Sequence, residues 1–438
     1  MIINAIIAIL IIGFLVVAHE FGHFIVAKAN GVAVVEFAIG FGPRIFHIKK
    51  GETDYALRLI PFGGACVMLG DTMMDSGDTD IEYDESRLLS SKSVWSRIAI
   101  VIAGPVFNFI LAFIFAVIII ASVGTDPCTV DVVDEGSPAY NAGLQVGDEI
   151  VKINNNKIAF SREYSFYQYY HSKDTMNITY IRNGEKYTTQ VVPEYRDYDV
   201  YRIGIMVSGN VNISEVSDNS PAKAAGIRSG DIILSVDGQK LENGIIISDI
   251  IGASQGKPVD MVLNRDGKEI NVTVTPAVTN VKEYYTGFDS YGYRVKKDPA
   301  STIVCAFKEV GYWIEVVVKS VGMMFTGQVG INDLSGPVGV VDSVNTVVEQ
   351  AKPEGAWMVT LNLFNFIVML SANLGVMNLL PLPALDGGKL IFLIIEALRG
   401  KPVKPEHEGM VHFVGMVLLM MLMVYVMFKD IVNLFLLR

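Results

Sequence analysis

The sequence predicts a polytopic α-helical membrane protein of about four transmembrane helices, interrupted by a β-rich α+β insert outside the bilayer. Three observations predict it. Four apolar blocks, at about residues 2–27, 98–123, 357–380 and 411–428, are long enough to cross a hydrocarbon core about 30 Å thick. The chain of 438 residues is 51% hydrophobic with a mean hydropathy of +0.40. Only 18% of it is charged, below the quarter or so usual in soluble domains. Finally, the long segment between the second and third blocks is polar and repeats itself. The net charge of −11 argues against nucleic acid as a partner. Cys66, Cys128 and Cys305 are too few and too scattered for a disulfide framework or a thiolate metal site.

The first block carries no basic segment ahead of it and no small-residue cleavage site before His19, so it reads as a span and not as a signal peptide. Lysine and arginine set its direction. Lys28, Arg44, Lys49, Lys50, Lys92 and Arg97 lie between the first two spans, and Arg399, Lys401 and Lys404 between the last two. Those connections are expected on the cytoplasmic side, which leaves residues 124–355 outside.

The first span contains His-Glu-Phe-Gly-His at residues 19–23. Histidines four apart share one helical face and can both ligate one zinc ion, while a glutamate beside the first can act as base on a water held there. His19 lies 17 residues into the span, about 25 Å deep at ~1.5 Å per residue. The motif is therefore expected in the cytoplasmic leaflet. The third span also runs inward, and its inner end reads NLLPLPALDGG over residues 378–388, with Asp386 its only acid. His19, His23 and Asp386 are thus the expected metal ligands and Glu20 the expected base. Imidazoles and carboxylates inside a span are costly without such a role. Asp386 taken alone also reads as a helix N-cap at a Pro/Gly break. His47, His171, His407 and His412 have no matching spacing.

These paired motifs resemble the site-2 protease family of intramembrane zinc metalloproteases, in its bacterial RseP-like branch. EFAIGFGPRIF (36–46), AGPVFNF (103–109), LSGPVGV (334–340) and NLGVMNL (373–379) agree with it along the whole chain. One departure is Ala65 in PFGGACVMLGD (61–71), where the family usually carries an aromatic residue. The resemblance implies that Asn378, Pro381 and Pro383 help hold an unwound substrate. It also implies that residues 32–69, whose alternating runs around KGET (50–53) read as a β-hairpin, re-enter the membrane beside the active site. Asn108 is expected to stabilise span packing. Residues 71–85 read as an acidic linker.

In the insert, SPAYNAGLQVGDEIVKINN from Ser137 recurs as SPAKAAGIRSGDIILSVDG from Ser220, an offset of 83 residues that also maps Gly143 to Gly226 and Asp148 to Asp231. Both copies resemble PDZ domains of the circularly permuted bacterial type. The expected division is an N-terminal membrane half (1–125), a first PDZ domain (126–195), a second (196–278), a linker (279–355) with an amphipathic helix over 301–325, and a C-terminal membrane half (356–438). That helix, with Lys308, Tyr312, Glu315 and Lys319 on one face, is expected to lie on the outer membrane surface or to pack on the PDZ pair.

The function expected from the resemblance is zinc-dependent cleavage of transmembrane segments of single-span proteins in a bacterial cytoplasmic membrane, such as anti-sigma factors or signal-peptide remnants. The PDZ domains would bind peptide C-termini by strand addition or exclude large substrates. The alternative is a non-catalytic PDZ scaffold or receptor. A serine protease is disfavoured, because no Gly-x-Ser-x-Gly stands near a usable histidine.

Overall fold

A computed structural model describes residues 2–71, 84–208, 211–241, 247–328, 330 and 334–436. Most of the expected acidic linker (72–83) lies outside the described residues. The chain divides into two compact units, Met1–Asp126 with Arg294–Arg438, and Pro127–Tyr293.

The first unit opens with helix α1 (Ile2–Ala29), followed by the long strands β1 (Val34–Lys50) and β2 (Thr53–Met68). These form the expected hairpin, but it is curled. Positive φ angles at Gly40 and Gly42 (87° and 89°) bend β1, a backbone state that glycine adopts without steric cost. Residues 36–39 consequently pair on both sides, with 54–57 and with 64–67. Residues 64–68 have ladder partners on one side only, which makes them an edge. Inside the curl, the buried Glu36 accepts hydrogen bonds from Arg44 (2.8 Å) and Arg58 (2.6 Å). Helix α2 (Val94–Val123) follows, with Ser93 Oγ capping the Ser96 N–H and Pro105 inside the helix.

The insert forms the second unit, and it is built as a repeat. Its first lobe contains β3 (Val132–Val133), α3 (Pro138–Asn141), β4 (Glu149–Ile153), β5 (Asn156–Lys157), α4 (Ser161–His171), β6 (Met176–Arg182) and β7 (Glu185–Val191), with sheet order β5-β4-β6-β7. Strand β8 (Glu194–Arg202) leads out of it. The second lobe contains β9 (Ile205–Ser208), β10 (Asn212–Val216), α5 (Pro221–Ala224), β11 (Ile232–Val236), β12 (Gln239–Lys240), α6 (Ile247–Ala253), β13 (Val259–Arg265) and β14 (Lys268–Val274). Each lobe has its own apolar core, around Ile150, Ile178 and Met176 in one and Ile233, Leu263 and Met261 in the other. Strand β15 (Ala277–Tyr285) pairs antiparallel with β8, and β16 (Phe288–Asp289) pairs with β3. Phe288 therefore enters the core of the first lobe.

The repeat reaches deeper than its motif. Ser137 and Ser220 cap α3 and α5. Asp148 and Asp231, each 1% exposed, receive 2.7 Å hydrogen bonds from Arg182 and Arg265. Those arginines also donate to the Gly143 and Gly226 carbonyls, and they too are 83 residues apart. The Arg265 guanidinium, with the Arg228 N–H, holds the Asp231 carboxyl below the usual carboxylate range. Burial pushes the Cys128 thiol up to about 12, and all three cysteines are free.

The chain returns to the first unit through α7 (Pro299–Phe325), α8 (Pro337–Ala351), α9 (Ala356–Leu379), α10 (Asp386–Arg399) and α11 (Pro405–Leu436). Among the described residues, four helices are long and apolar enough to cross a membrane: Ile3–Ala29, Val94–Val123, Ala356–Leu379 and Pro405–Val432. They leave large apolar side chains such as Leu10, Ile114 and Met420 on the outside, as lipid-facing helices do. Helix α7 packs Ala306 and Val310 against α2 and α9, so the expected amphipathic helix covers the spans themselves on one face. Close helix contacts rest on glycine. A Cβ on Gly22 would lie 2.4 Å from the Ala103 carbonyl oxygen, and one on Gly375 would lie 2.6 Å from the Phe109 ring. The insert leaves and rejoins this unit at one bridge, where Thr125 and Val295 exchange both backbone hydrogen bonds (3.0 and 2.7 Å).

Candidate metal centre

His19 and His23 sit one turn apart on α1, and Asp386 is the first residue of α10. Helix α10 is capped at Leu385, without a side-chain cap bond, and Asp386 turns its Oδ2 toward the imidazoles instead. That oxygen is 3.0 Å from His19 Nε2 and 3.3 Å from His23 Nε2, while the two Nε2 atoms are 3.2 Å apart. A tetrahedral zinc ion with bonds of about 2.0–2.1 Å has ligand–ligand edges of about 3.3 Å. The triangle therefore has the dimensions of one face of such a site, with its fourth corner left over. Among the described residues this is the only such cluster of histidine, cysteine and carboxylate ligand atoms.

The surrounding backbone is shaped to it. A Cβ on Gly104 of α2 would lie 2.3 Å from His23 Nε2, so only glycine lets α2 back the two rings. His23 Nδ1 lies 2.8 Å from the Ile100 carbonyl oxygen. A carbonyl only accepts, so Nδ1 carries the proton and Nε2 keeps its lone pair. On the other ring, His19 Nδ1 faces the Asn108 side-chain amide at 3.0 Å. Asp386 follows the loop 380–385, which doubles back so tightly that a Cβ on Gly387 would lie 2.1 Å from the Leu380 carbonyl oxygen. Ala384 there has φ +73°, and its N–H donates to Nδ1 of the fully buried His412 at 2.9 Å.

His19, His23 and Asp386 line a cavity of about 480 Å³ together with Glu20, Gly64, Ala65, Cys66 and Met68 of the hairpin edge, and Asp71, Lys389 and Glu408. The Glu20 side chain lies against Gly64. Lys389 bonds Asp71 at 3.0 Å and Arg97 pairs with Glu396, tying the end of the hairpin and α2 to α10. Asn378 Nδ2 reaches within 3.5 Å of His19 Nε2. Pro383 packs against Gly415 of α11, where a Cβ would lie 2.2 Å away, while Pro381 is exposed. The structure thus brings His19, Glu20, His23, Asp386 and Asn378 together. The sequence reading missed His412 and the Lys389–Asp71 pair.

Two histidines and a carboxylate within ligand distance of one another, beside a glutamate and among apolar helices, are the residue types of a zinc metalloprotease site. The profile of peptidase family M50 matches residues 7–422, and the chain belongs to that family, the site-2 proteases. It is 32% identical to the zinc metalloprotease RasP of Geobacillus kaustophilus, over 98% of this chain and 97% of that one. It is 31% identical to the regulator of sigma-W protease RasP of Bacillus subtilis over the full length of both. With the regulator of sigma-E protease RseP of Salmonella typhimurium it shares 30% identity over 96% and 97%. Among solved structures, the HtrA3 PDZ domain aligns at 25% identity with 19% of this chain and 92% of its own, at a TM-score of 0.17. The protein is a multi-pass zinc metalloendopeptidase of intramembrane proteolysis.

Proposed function

We propose that His19, His23 and Asp386 hold the zinc ion and that Glu20 is the general base in cleavage of transmembrane segments of single-span membrane proteins. The observation that carries this is the convergence of the three ligand atoms at 3.0–3.3 Å on a cavity that Glu20 shares. Zinc, when bound, supplies Lewis acidity and lowers the pKa of water toward about 7. The Glu20 carboxylate takes the proton of the attacking water and returns it to the departing amine nitrogen. Asn378, Pro381 and Pro383 border the path of the substrate.

A transmembrane helix hides its carbonyls in its own hydrogen bonds. Capture therefore needs an acceptor for extended backbone, and the free edge of residues 64–68 can take one by strand addition. The hairpin re-enters the membrane for this purpose, since irregular backbone at that depth is tolerated where it lines a cavity. The distribution of lysine and arginine supports a metal centre near the cytoplasmic leaflet and an insert outside. The names of the relatives, regulators of sigma-W and sigma-E proteases, favour anti-sigma-factor substrates in the cytoplasmic membrane. The two lobes of the insert are PDZ domains, and no groove residue stands out in them, which favours exclusion of large outer domains over peptide capture.

Glu20→Gln is the test. Zinc content is expected to stay at one ion per chain while cleavage is lost, and single-span membrane stubs accumulate in cells that carry the variant. Full cleavage by Glu20→Gln would overturn the mechanism, and the absence of such stubs would overturn the substrate class.

A further inference from the structure

We propose that Asn108 is a positioning residue for the metal centre. Its side-chain oxygen takes the Nδ1 proton of His19 and so fixes the ring tautomer whose Nε2 lone pair faces the metal. The proposal rests on the reading that His19, His23 and Asp386 bind zinc.

Asn108 is fully buried in α2, where a polar side chain needs a reason. Its amide lies 3.0 Å from His19 Nδ1, and its Oδ1 has no hydrogen-bond partner. With Nδ2 toward the ring, the amide would donate to Nδ1. The single proton of a neutral imidazole would then sit on Nε2, which lies 3.0 Å from Asp386 Oδ2, and ligation would be blocked. The two ends of an amide are alike in shape, and a half-turn about the terminal side-chain bond exchanges them. Oδ1 then accepts from Nδ1–H, and the Nε2 lone pair is released toward the cluster. That arrangement matches the other ring, where the Ile100 carbonyl accepts from His23 Nδ1–H. Both acceptors come from α2, and both depend on the glycine contact at Gly104, one turn before Asn108.

The backbone explains why the acceptor does not shift. The Ser371 hydroxyl of α9 donates to the Asn108 carbonyl oxygen at 2.8 Å, so the residue is anchored independently of its amide. A packing role and a tautomer role can therefore be separated. Asn108→Leu removes the acceptor but keeps the volume. Asn108→Asp keeps an acceptor. Ser371→Ala loosens the anchor and leaves the amide in place.

The test measures zinc affinity of the full-length protein in detergent by competition with a chromophoric chelator, along with the visible bands of the cobalt(II)-loaded protein. Asn108→Leu is expected to bind zinc 10- to 100-fold more weakly, the usual effect of removing a partner of a metal-ligating histidine, and to shift the cobalt bands. Asn108→Asp is expected to bind at least as tightly as the parent, and Ser371→Ala to lose far less than Asn108→Leu. Should Asn108→Leu fail to accumulate, Asn108→Ala carries the same expectation. Parent-like affinity in Asn108→Leu, or an equal loss in Asn108→Asp, would overturn the proposal. His19→Ala keeps the two readings apart. If it retains the parent's affinity, the ligand assignment itself fails.

Discussion

Residues of the centre differ in how far the chain itself announces them. His19 and His23 declare each other, because a four-residue spacing on a helix means a shared face. Asp386 is legible only through topology, as the one acid at the inner end of a span running the same way. Asn108 is not legible, since its partner is 89 residues distant and only the packing of α2 on α1 brings them together. Gly104 belongs to the same class. In the sequence it reads as a small residue in a span, whereas in the fold it is the surface on which both imidazoles rest. Gly104→Ala therefore makes a specific prediction. A Cβ 2.3 Å from His23 Nε2 must push the ring aside, so zinc content is expected to fall well below one ion per chain, with stability lowered by roughly 1–3 kcal/mol through overpacking. Full zinc occupancy by elemental analysis would mean that α2 can retreat.

At the scale of elements, the hairpin was recognisable from alternation around KGET, but its curl was not. The alternation records which face a residue takes, not that residues 36–39 are paired on both sides. Helices α8 and α10 lay in stretches read as a linker and a cytoplasmic connection, because each is too short or too mixed to register as a span. The repeat was legible at its serines, glycines and aspartates. Its arginines were hidden because two strands and a helix separate each of them from the motif it serves. The Asp231–Arg265 pair gives a pH prediction. Its carboxyl titrates lower in the fold than in the unfolded chain, where the reference is about 3.9. The pair's stabilisation is therefore complete at neutral pH, and it is lost as pH falls through about 4 and below. Arg265→Leu leaves the buried carboxylate uncompensated and is expected to cost about 3 kcal/mol. Hydrogen exchange in the full-length protein should report this as faster exchange of β11 and β13 amides, with the first lobe unchanged. Equal protection in variant and parent would show that the pair adds nothing.

At the scale of the whole molecule, the membrane unit is assembled from the two ends of the chain. Each end supplies part of the centre: His19, Glu20 and His23 from one, Asp386 and Asn378 from the other. Neither half holds all three of the proposed ligands. Among the described residues, those that line the cavity all belong to the two halves. Replacing residues 127–293 by a short glycine-containing turn is therefore expected to preserve zinc binding while admitting substrates with large outer domains. Unchanged substrate selection in a cleavage assay would count against the filter, and loss of zinc would show that the insert supports the membrane fold.

The bridge between Thr125 and Val295 also bears on ancestry. Where two chain segments already sit side by side as an antiparallel pair, the smallest connector between them is a two-residue turn. A protease closed at that point by such a turn needs none of the residues in the insert to be a continuous chain. The lobes can thus be gained, doubled or lost at a single junction, without a change to the residues of the membrane unit.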